Sequence, residues 1–176
     1  MDYVTVEPEG RPGEWLILAE ARMAAVLSGK YRIINRVEGK MLVGIEYKPL
    51  YSSDPSIRPK VLAAEFVSTE DGTGLVHIAP AFGSEDFELG RKYNLPTLLT
   101  VNEDGRMATP GTPWNGKFIK EADPLIIKDL ESRGLLFRKE PYEHDYPFCW
   151  RCETPLMYYA KKSWFFKTTA VREKML

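Results

Sequence analysis

Short apolar clusters, each closed by glycine, proline or acidic residues, set the pattern of this chain. Residues 15–18 (Trp-Leu-Ile-Leu) read as a strand. Residues 19–27 follow with strong helix formers, Met23 and Leu27 falling one turn apart, and Gly29 is a stop signal. Residues 31–34 and 41–45 read as strands joined through Glu38 and Gly39, and 61–67 as another strand beyond a proline-rich loop at 47–59. Residues 75–78 resume extended structure, and Pro80 pushes Ala79 towards β or polyproline geometry. Ser84 is placed to cap a helix with Glu85 and Asp86 in its first turn, where carboxylates suit the helix dipole. Phe87 is expected to face inward, and the helix to fade by Asn94 or Pro96.

Further on, 97–101 and 106–108 flank Glu103-Asp104-Gly105, a short-hairpin signal, and 109–116 form an ordered loop around Trp114. Residues 121–132 make the clearest helix. Ala122, Leu125, Ile126 and Leu130 line one stripe interrupted by Asp129, Pro124 falls in the first turn, and Gly134 ends it. Residues 135–137 read as a strand. This uneven alternation excludes a repeat array and a doubly wound sheet. It predicts an α+β fold: a β-rich barrel or curled sheet of mixed or antiparallel strands with peripheral helices. The character changes at 142–149, where aromatics, prolines and both cysteines gather. The expected division is therefore 1–143 for the β-rich domain and 144–176 for a connecting segment.

Composition narrows the classes. At 176 residues the chain fits one domain, or one with a partial neighbour, and its 44% apolar content suits a packed core rather than disorder. The 24 basic and 25 acidic side chains nearly cancel, so bulk charge does not advertise a nucleic-acid binder. Lys161, Lys162, Lys167, Arg172 and Lys174 bias the last segment positive, as a solvated face or a local patch. No secretory leader and no membrane-spanning apolar run is visible. With two cysteines, only two residues apart, disulfide-rich classes are out and a cytoplasmic setting is expected.

The candidate chemistry concentrates in 71–90, DGTGLVHIAPAFGSEDFELG. Gly72-Thr73-Gly74 lacks the Gly-Lys-Ser/Thr ending of a phosphate loop and precedes a strand, so it reads as a tight strand-entry turn from which Thr73 can offer a hydroxyl. His77 sits in an alternating strand, either as a structural histidine or, because the chain turns sharply after it, at the rim of a cleft. Asp86 is either a routine first-turn carboxylate or a binder of an ammonium group through charge-assisted hydrogen bonds. No serine sits in a nucleophile elbow, so a held water attacking an ester is favoured over a covalent intermediate. Cys149 and Cys152 form half of a zinc pattern; a closed structural site needs four ligands, and His144 is the one other nearby imidazole.

The run 72–86, Gly-Thr-Gly-Leu-Val-His-Ile-Ala-Pro-Ala-Phe-Gly-Ser-Glu-Asp, resembles the hallmark of the editing domain inserted in class I isoleucyl-tRNA synthetases. Residues 146–152 (Tyr-Pro-Phe-Cys-Trp-Arg-Cys), with Thr154-Pro155-Leu156, Tyr158-Tyr159-Ala160 and Ser163-Trp164-Phe165, are similar to the segment where such enzymes return from the insertion to the catalytic core. The matches lie in the expected order. The resemblance implies an editing barrel that hydrolyses valine wrongly esterified to isoleucine tRNA. A missing methylene gives only about 1–3 kcal/mol of discrimination, so a second, smaller pocket is needed.

By that resemblance, Asp86 holds the α-ammonium of the misattached valine and His77 positions the terminal adenosine or the attacking water. Thr73, Ala79 and Phe82 belong to the same substrate wall. The implied partners are the isoleucine tRNA acceptor end and the remainder of the parent synthetase, with no membrane and a monomeric state. Editing itself needs no cofactor. A structural zinc at Cys149 and Cys152 is the one candidate in this chain, and ATP and magnesium serve only the full-length parent. The family's threonine-rich pocket wall and its two synthesis signatures are absent from the sequence, so the chain is expected to be a fragment beginning inside the insertion. Two alternatives stand beside the hydrolase: an insertion fragment with weak tRNA-end binding only, and a small zinc-binding interaction module.

Overall fold

In the computed structural model, residues 1–176 are described apart from 52, 53, 55, 142, 144 and 176. The chain forms two compact units, Met1–Ile78 and Ala79–Leu176.

The first unit is built on strand β1 (Asp2–Pro8), which lies between β2 (Leu16–Ala19) and β3 (Tyr31–Glu38) in an open antiparallel sheet of order β2-β1-β3. The strict alternation of Tyr3, Val4, Thr5 and Val6 sends one pair of residues to each face. On one face Val4, Val6 and Leu18 are wholly or almost wholly buried against Met23 and Val26 of α1 (Met23–Val26), with Leu16, Leu27 and Ile33 at the margin. Burial of each of these large apolar side chains is worth about 1.5–3 kcal/mol. On the other face Tyr3 and Ala19 pack with Leu42, Val37 and Val61.

A bulge decides which isoleucine of β3 serves the core. Thr5 pairs with Asn35 but Val6 pairs with Ile33, so Ile34 is the extra residue. Without that shift Ile34 would face Val6; with it, Ile33 packs on the core and Ile34 stays 37% exposed.

Several expected elements take another form. The helix expected at 19–27 is a 3-10 turn (Glu20–Arg22) followed by the single α1 turn. Residues 41–45 are not a hairpin partner of β3, which pairs with β1 alone and remains an edge of the sheet. The chain instead turns at Gly39, whose N–H donates to the Met1 carbonyl and whose missing Cβ would sit 2.8 Å from the Tyr3 ring. Residues 61–67 likewise form no strand: Val61 exchanges main-chain bonds with Gly44 and Ile45, and a single bridge joins Glu46 to Lys60.

The second unit carries α2 (Ser84–Lys92), α3 (Ile119–Ser132) and the short α4 (Arg172–Met175). Both longer helices stop in the same way. Asn94 (φ 53°) and Gly134 (φ 67°) adopt left-handed backbone, and the N–H groups of Leu95 and Leu135 reach back to the carbonyls of Gly90 and Leu130. Leu135 is thus consumed by the cap, and 135–137 form no strand. α3 starts two residues earlier than expected, because Glu121 Oε2 accepts from the Phe118 N–H in half of a capping box. Pro124 therefore lies in the second turn and withholds a hydrogen from the carbonyl four residues back. Between the helices, bridges Val101–Met107 and Arg106–Phe118 hold a small irregular hairpin, and Trp114 is buried in the loop that follows.

The class is α+β, with an open antiparallel sheet rather than a closed barrel among the described residues. The division expected at 143/144 falls within the second compact unit, and residues 142 and 144 lie outside the described set. Among the described residues no helix is long and apolar enough to cross a membrane.

The two faces of β2 give a stability test. Leu18→Ala is expected to cost about 2–5 kcal/mol in urea unfolding, since it opens a cavity in the sheet's core face. Ile17→Ala, at a neighbouring position that is 44% exposed, should stay within about 0.5 kcal/mol of the unaltered chain. Equal losses at both positions would contradict the register of β1 and β2.

Candidate functional site

The Gly72-Thr73-Gly74 turn belongs to the first unit and is held by its core. Both glycines have left-handed backbone, φ 58° and 77°. The Ala19 N–H at the end of β2 donates to the Thr73 carbonyl (2.8 Å), and the buried Tyr3 hydroxyl donates to the Gly74 carbonyl (2.7 Å). A Cβ on Gly74 would fall 2.5 Å from the Ala19 Cβ, so the close approach requires glycine. Arg22 adds donors to the carbonyls of Gly72 (3.0 Å) and Glu70 (2.8 Å). Thr73 Oγ1 faces the Leu75 main chain, at 3.4 Å from its N and 3.3 Å from its carbonyl oxygen, and the residue is half-buried. His77 is exposed; the strand expected at 75–78 is not formed, and the stretch has no ladder bonds. Among the described residues its ring has no hydrogen-bond partner.

Ala79, Phe82 and Asp86 belong to the second unit. Pro80 sits at the second position of a tight turn closed by the Phe82 N–H on the Ala79 carbonyl (2.9 Å). Gly83, not Ser84, is the residue that starts α2; Ser84 is its first helical residue. No side chain caps α2; Asp86, in its first turn, instead uses Oδ2 to accept from the Ala79 N–H ahead of the helix at 2.9 Å. That bond ties the turn to the helix and fixes the carboxylate, while Oδ1 has no partner among the described residues. Asp86 is half-buried and Glu85 exposed, which separates the two carboxylates in environment. Phe87, expected to face inward, is 40% exposed; the buried positions are Leu89 and Gly90, and a Cβ on Gly90 would lie 2.9 Å from Pro80.

Sequence reasoning did not foresee the partners of Phe82 and Ala81. The Tyr159 ring meets Phe82 edge-on with centroids 6.0 Å apart, and the Ala160 N–H donates to the Ala81 carbonyl (2.8 Å). Long-range pairs of this kind leave no signal in local periodicity. The five candidates therefore fall into two groups, Thr73 with His77 and Ala79 with Phe82 and Asp86, each set by its own unit.

Cys149 and Cys152 lie in a second small turn. The Cys149 N–H donates to the Thr154 carbonyl (2.9 Å), the Glu153 N–H to the Cys149 carbonyl (2.8 Å), and Glu153 has φ 54°. Both thiols are free, and Cys152 Sγ lies 3.0 Å from Thr154 Oγ1. That hydroxyl, followed by the Thr154 N–H and by Cys149, holds the Cys152 thiol below its ordinary pKa. Two sulfurs are half of the donors a closed zinc site needs. No cluster of three or more potential ligands exists among the described residues, and His144 lies outside them.

Searched against protein-family models, the chain matches none. Its similarity to curated proteins is extensive. It is 43% identical over 177 residues to the isoleucine--tRNA ligase of Clostridium novyi, a match covering 99% of this chain. Against the same-named protein of Thermoplasma acidophilum it is 42% identical over its whole length, and against that of Thermus thermophilus 45% identical over 163 residues. The chain belongs to the isoleucine--tRNA ligase family. It spans about a sixth of these ligases, 17% of the Clostridium novyi and 15% of the Thermus thermophilus protein.

The lowered Cys152 pKa has a sign that can be checked on the reduced, metal-free chain. A hydrogen bond to the thiolate favours the charged form, so alkylation by iodoacetamide should switch on at lower pH than in an unfolded cysteine peptide. Thr154→Val should move that profile back up. A profile indifferent to Thr154 would remove this hydrogen bond as the cause.

Proposed function

We propose that this chain serves the editing of misacylated tRNA, hydrolysing the ester of valine attached to isoleucine tRNA as part of a longer isoleucine--tRNA ligase. Family membership supports the setting, and the Gly-Thr-Gly to Asp86 run supports the site. The observation that carries the reading is the state of Asp86: a half-buried carboxylate with one oxygen anchored on the Ala79 N–H and the other directed to no protein group among the described residues. An anchored carboxylate is a preorganised receptor for an ammonium, because the ligand does not have to order the side chain itself.

The chemistry asked of these residues is modest. Asp86 binds the α-ammonium of the aminoacyl group through charge-assisted hydrogen bonds. Orientation of the ester then does most of the catalysis, since a misplacement of about 1 Å can cost about a hundredfold in rate. Water is the nucleophile: it adds to the ester carbonyl, the tetrahedral intermediate collapses, and the bond to the terminal ribose oxygen breaks to leave free valine and tRNA. His77 is proposed to position the water or the terminal adenosine, and Thr73, Ala79 and Phe82 to line the wall. Ligation of isoleucine with ATP and magnesium is proposed for the longer enzyme and not for these residues. A zinc at Cys149 and Cys152 is proposed only as a half-site needing ligands from elsewhere in that enzyme, and no step of the hydrolysis passes through it.

Deacylation of valyl-tRNA made with isoleucine tRNA tests the reading. Asp86→Ala should lower kcat/KM about tenfold to a hundredfold. Asp86→Asn keeps an acceptor for the Ala79 N–H while removing the charge, and is expected to be nearly as impaired. Full activity in Asp86→Asn would make the residue purely structural, and unchanged hydrolysis in Asp86→Ala would remove it from the mechanism.

A further inference from the structure

We propose that Arg22 is a positioning residue for the candidate substrate wall carried by Thr73 and His77, an inference that rests on the editing function above. Arg22 ends the 3-10 turn Glu20–Arg22 and is half-buried. Its Nε donates to the Gly72 carbonyl at 3.0 Å, and its Nη1 to the Glu70 carbonyl at 2.8 Å and, more weakly, the Thr69 carbonyl at 3.4 Å. Three main-chain oxygens some fifty residues away in sequence thus converge on one guanidinium. Among the described residues no acidic side chain is paired with it; the turn's carbonyl dipoles are its counter-charge.

Such convergence has a cost that only a cation offsets. Carbonyl oxygens brought to one point repel each other and must each lose a water. A planar fork of N–H donors that is charged at every accessible pH satisfies them together. Two more carbonyls of the same turn are held by Ala19 and Tyr3, so Arg22 completes a clasp along 69–74 whose other half is the core itself.

The clasp bears on function through the residues just beyond it. Residues 76–78 make no main-chain hydrogen bond among the described residues, so no sheet ladder sets where His77 lies. Its backbone position is inherited from the turn. Loosening 69–74 therefore displaces Thr73 and His77 while leaving β1, β2 and β3 paired.

The test combines hydrolysis of valyl-tRNA with hydrogen exchange on the same variants. Arg22→Gln should lower kcat about tenfold or more with KM little changed, as expected when reacting groups are misplaced rather than lost. The Ala19 amide, which donates to the Thr73 carbonyl, should exchange faster while those of β1 keep their protection. Arg22→Lys, which restores a cation with several donors, should recover much of the rate. If Arg22→Gln does not fold, Tyr3→Phe removes one hydroxyl from the same clasp and should show the same pattern more weakly. Normal kcat and normal exchange in Arg22→Gln, with Asp86→Ala inactive, would overturn the role of Arg22 alone. Hydrolysis absent from the longer ligase that carries this chain unaltered, or unchanged in its Asp86→Ala variant, would overturn the editing function and this inference with it.

Discussion

The first unit depends on one requirement: β1 must satisfy hydrogen bonds along both edges while giving side chains to both faces. A strand so placed has no free edge, and its neighbours β2 and β3 become the edges of the sheet. Val4 and Val6 then form one core with Leu18, and Tyr3 forms the other with Ala19 and Leu42. The same residues that build the core also reach the Gly-Thr-Gly turn, Ala19 through its N–H and Tyr3 through its hydroxyl. The candidate chemistry of this unit is therefore not an appendage. Its main chain is bonded to the most buried part of the fold, with the Arg22 guanidinium closing the remaining side.

The second unit solves a different problem, which is how to place a carboxylate firmly without burying a charge. Asp86 does this by doubling as the N-terminal tie of α2: the helix start offers unsatisfied N–H groups nearby, and the Ala79 N–H just before the turn takes one carboxylate oxygen. The helix then closes on Asn94 in left-handed backbone, so both ends of α2 are defined by local hydrogen bonding rather than by a large apolar face. Only Leu89 and Gly90 of this helix are buried. A short helix of this kind holds its direction because its C-terminal end is closed, Asp86 ties its first turn to Ala79, and Gly90 lets Pro80 approach closely.

Much of this was legible from local patterns. The stop signals at Gly134 and near Asn94 and the ordered loop around Trp114 are properties of a few adjacent residues. Residues 41–45 and 61–67 have strand-like composition, but they meet only through a few main-chain bonds, Gly44 and Ile45 with Val61 and Glu46 with Lys60, and extend no ladder. Phe87 looked like a core residue by type, yet a nine-residue helix can bury only a narrow stripe, and Leu89 occupies it. Among the site residues, Asp86 was legible by chemistry but its bond to Ala79 was not. The clasp of Arg22 on 69–72 was not legible at all, because nothing in the sequence near Arg22 announces three carbonyls some fifty positions away.

The sequence by itself determined the family, the α+β class, the main helices and the identity of the candidate site residues, because residue type and order carry those directly. Tertiary structure decided that Asp2–Pro8 supplies the central strand, that Ile33 rather than Ile34 faces the core, and that the Gly-Thr-Gly turn is gripped from Tyr3, Ala19 and Arg22. Each of those is a competition between distant segments for the same edge, the same face or the same donor. Local propensity cannot rank such competitors, because the winner is set by which pairing leaves the fewest polar groups unpaired.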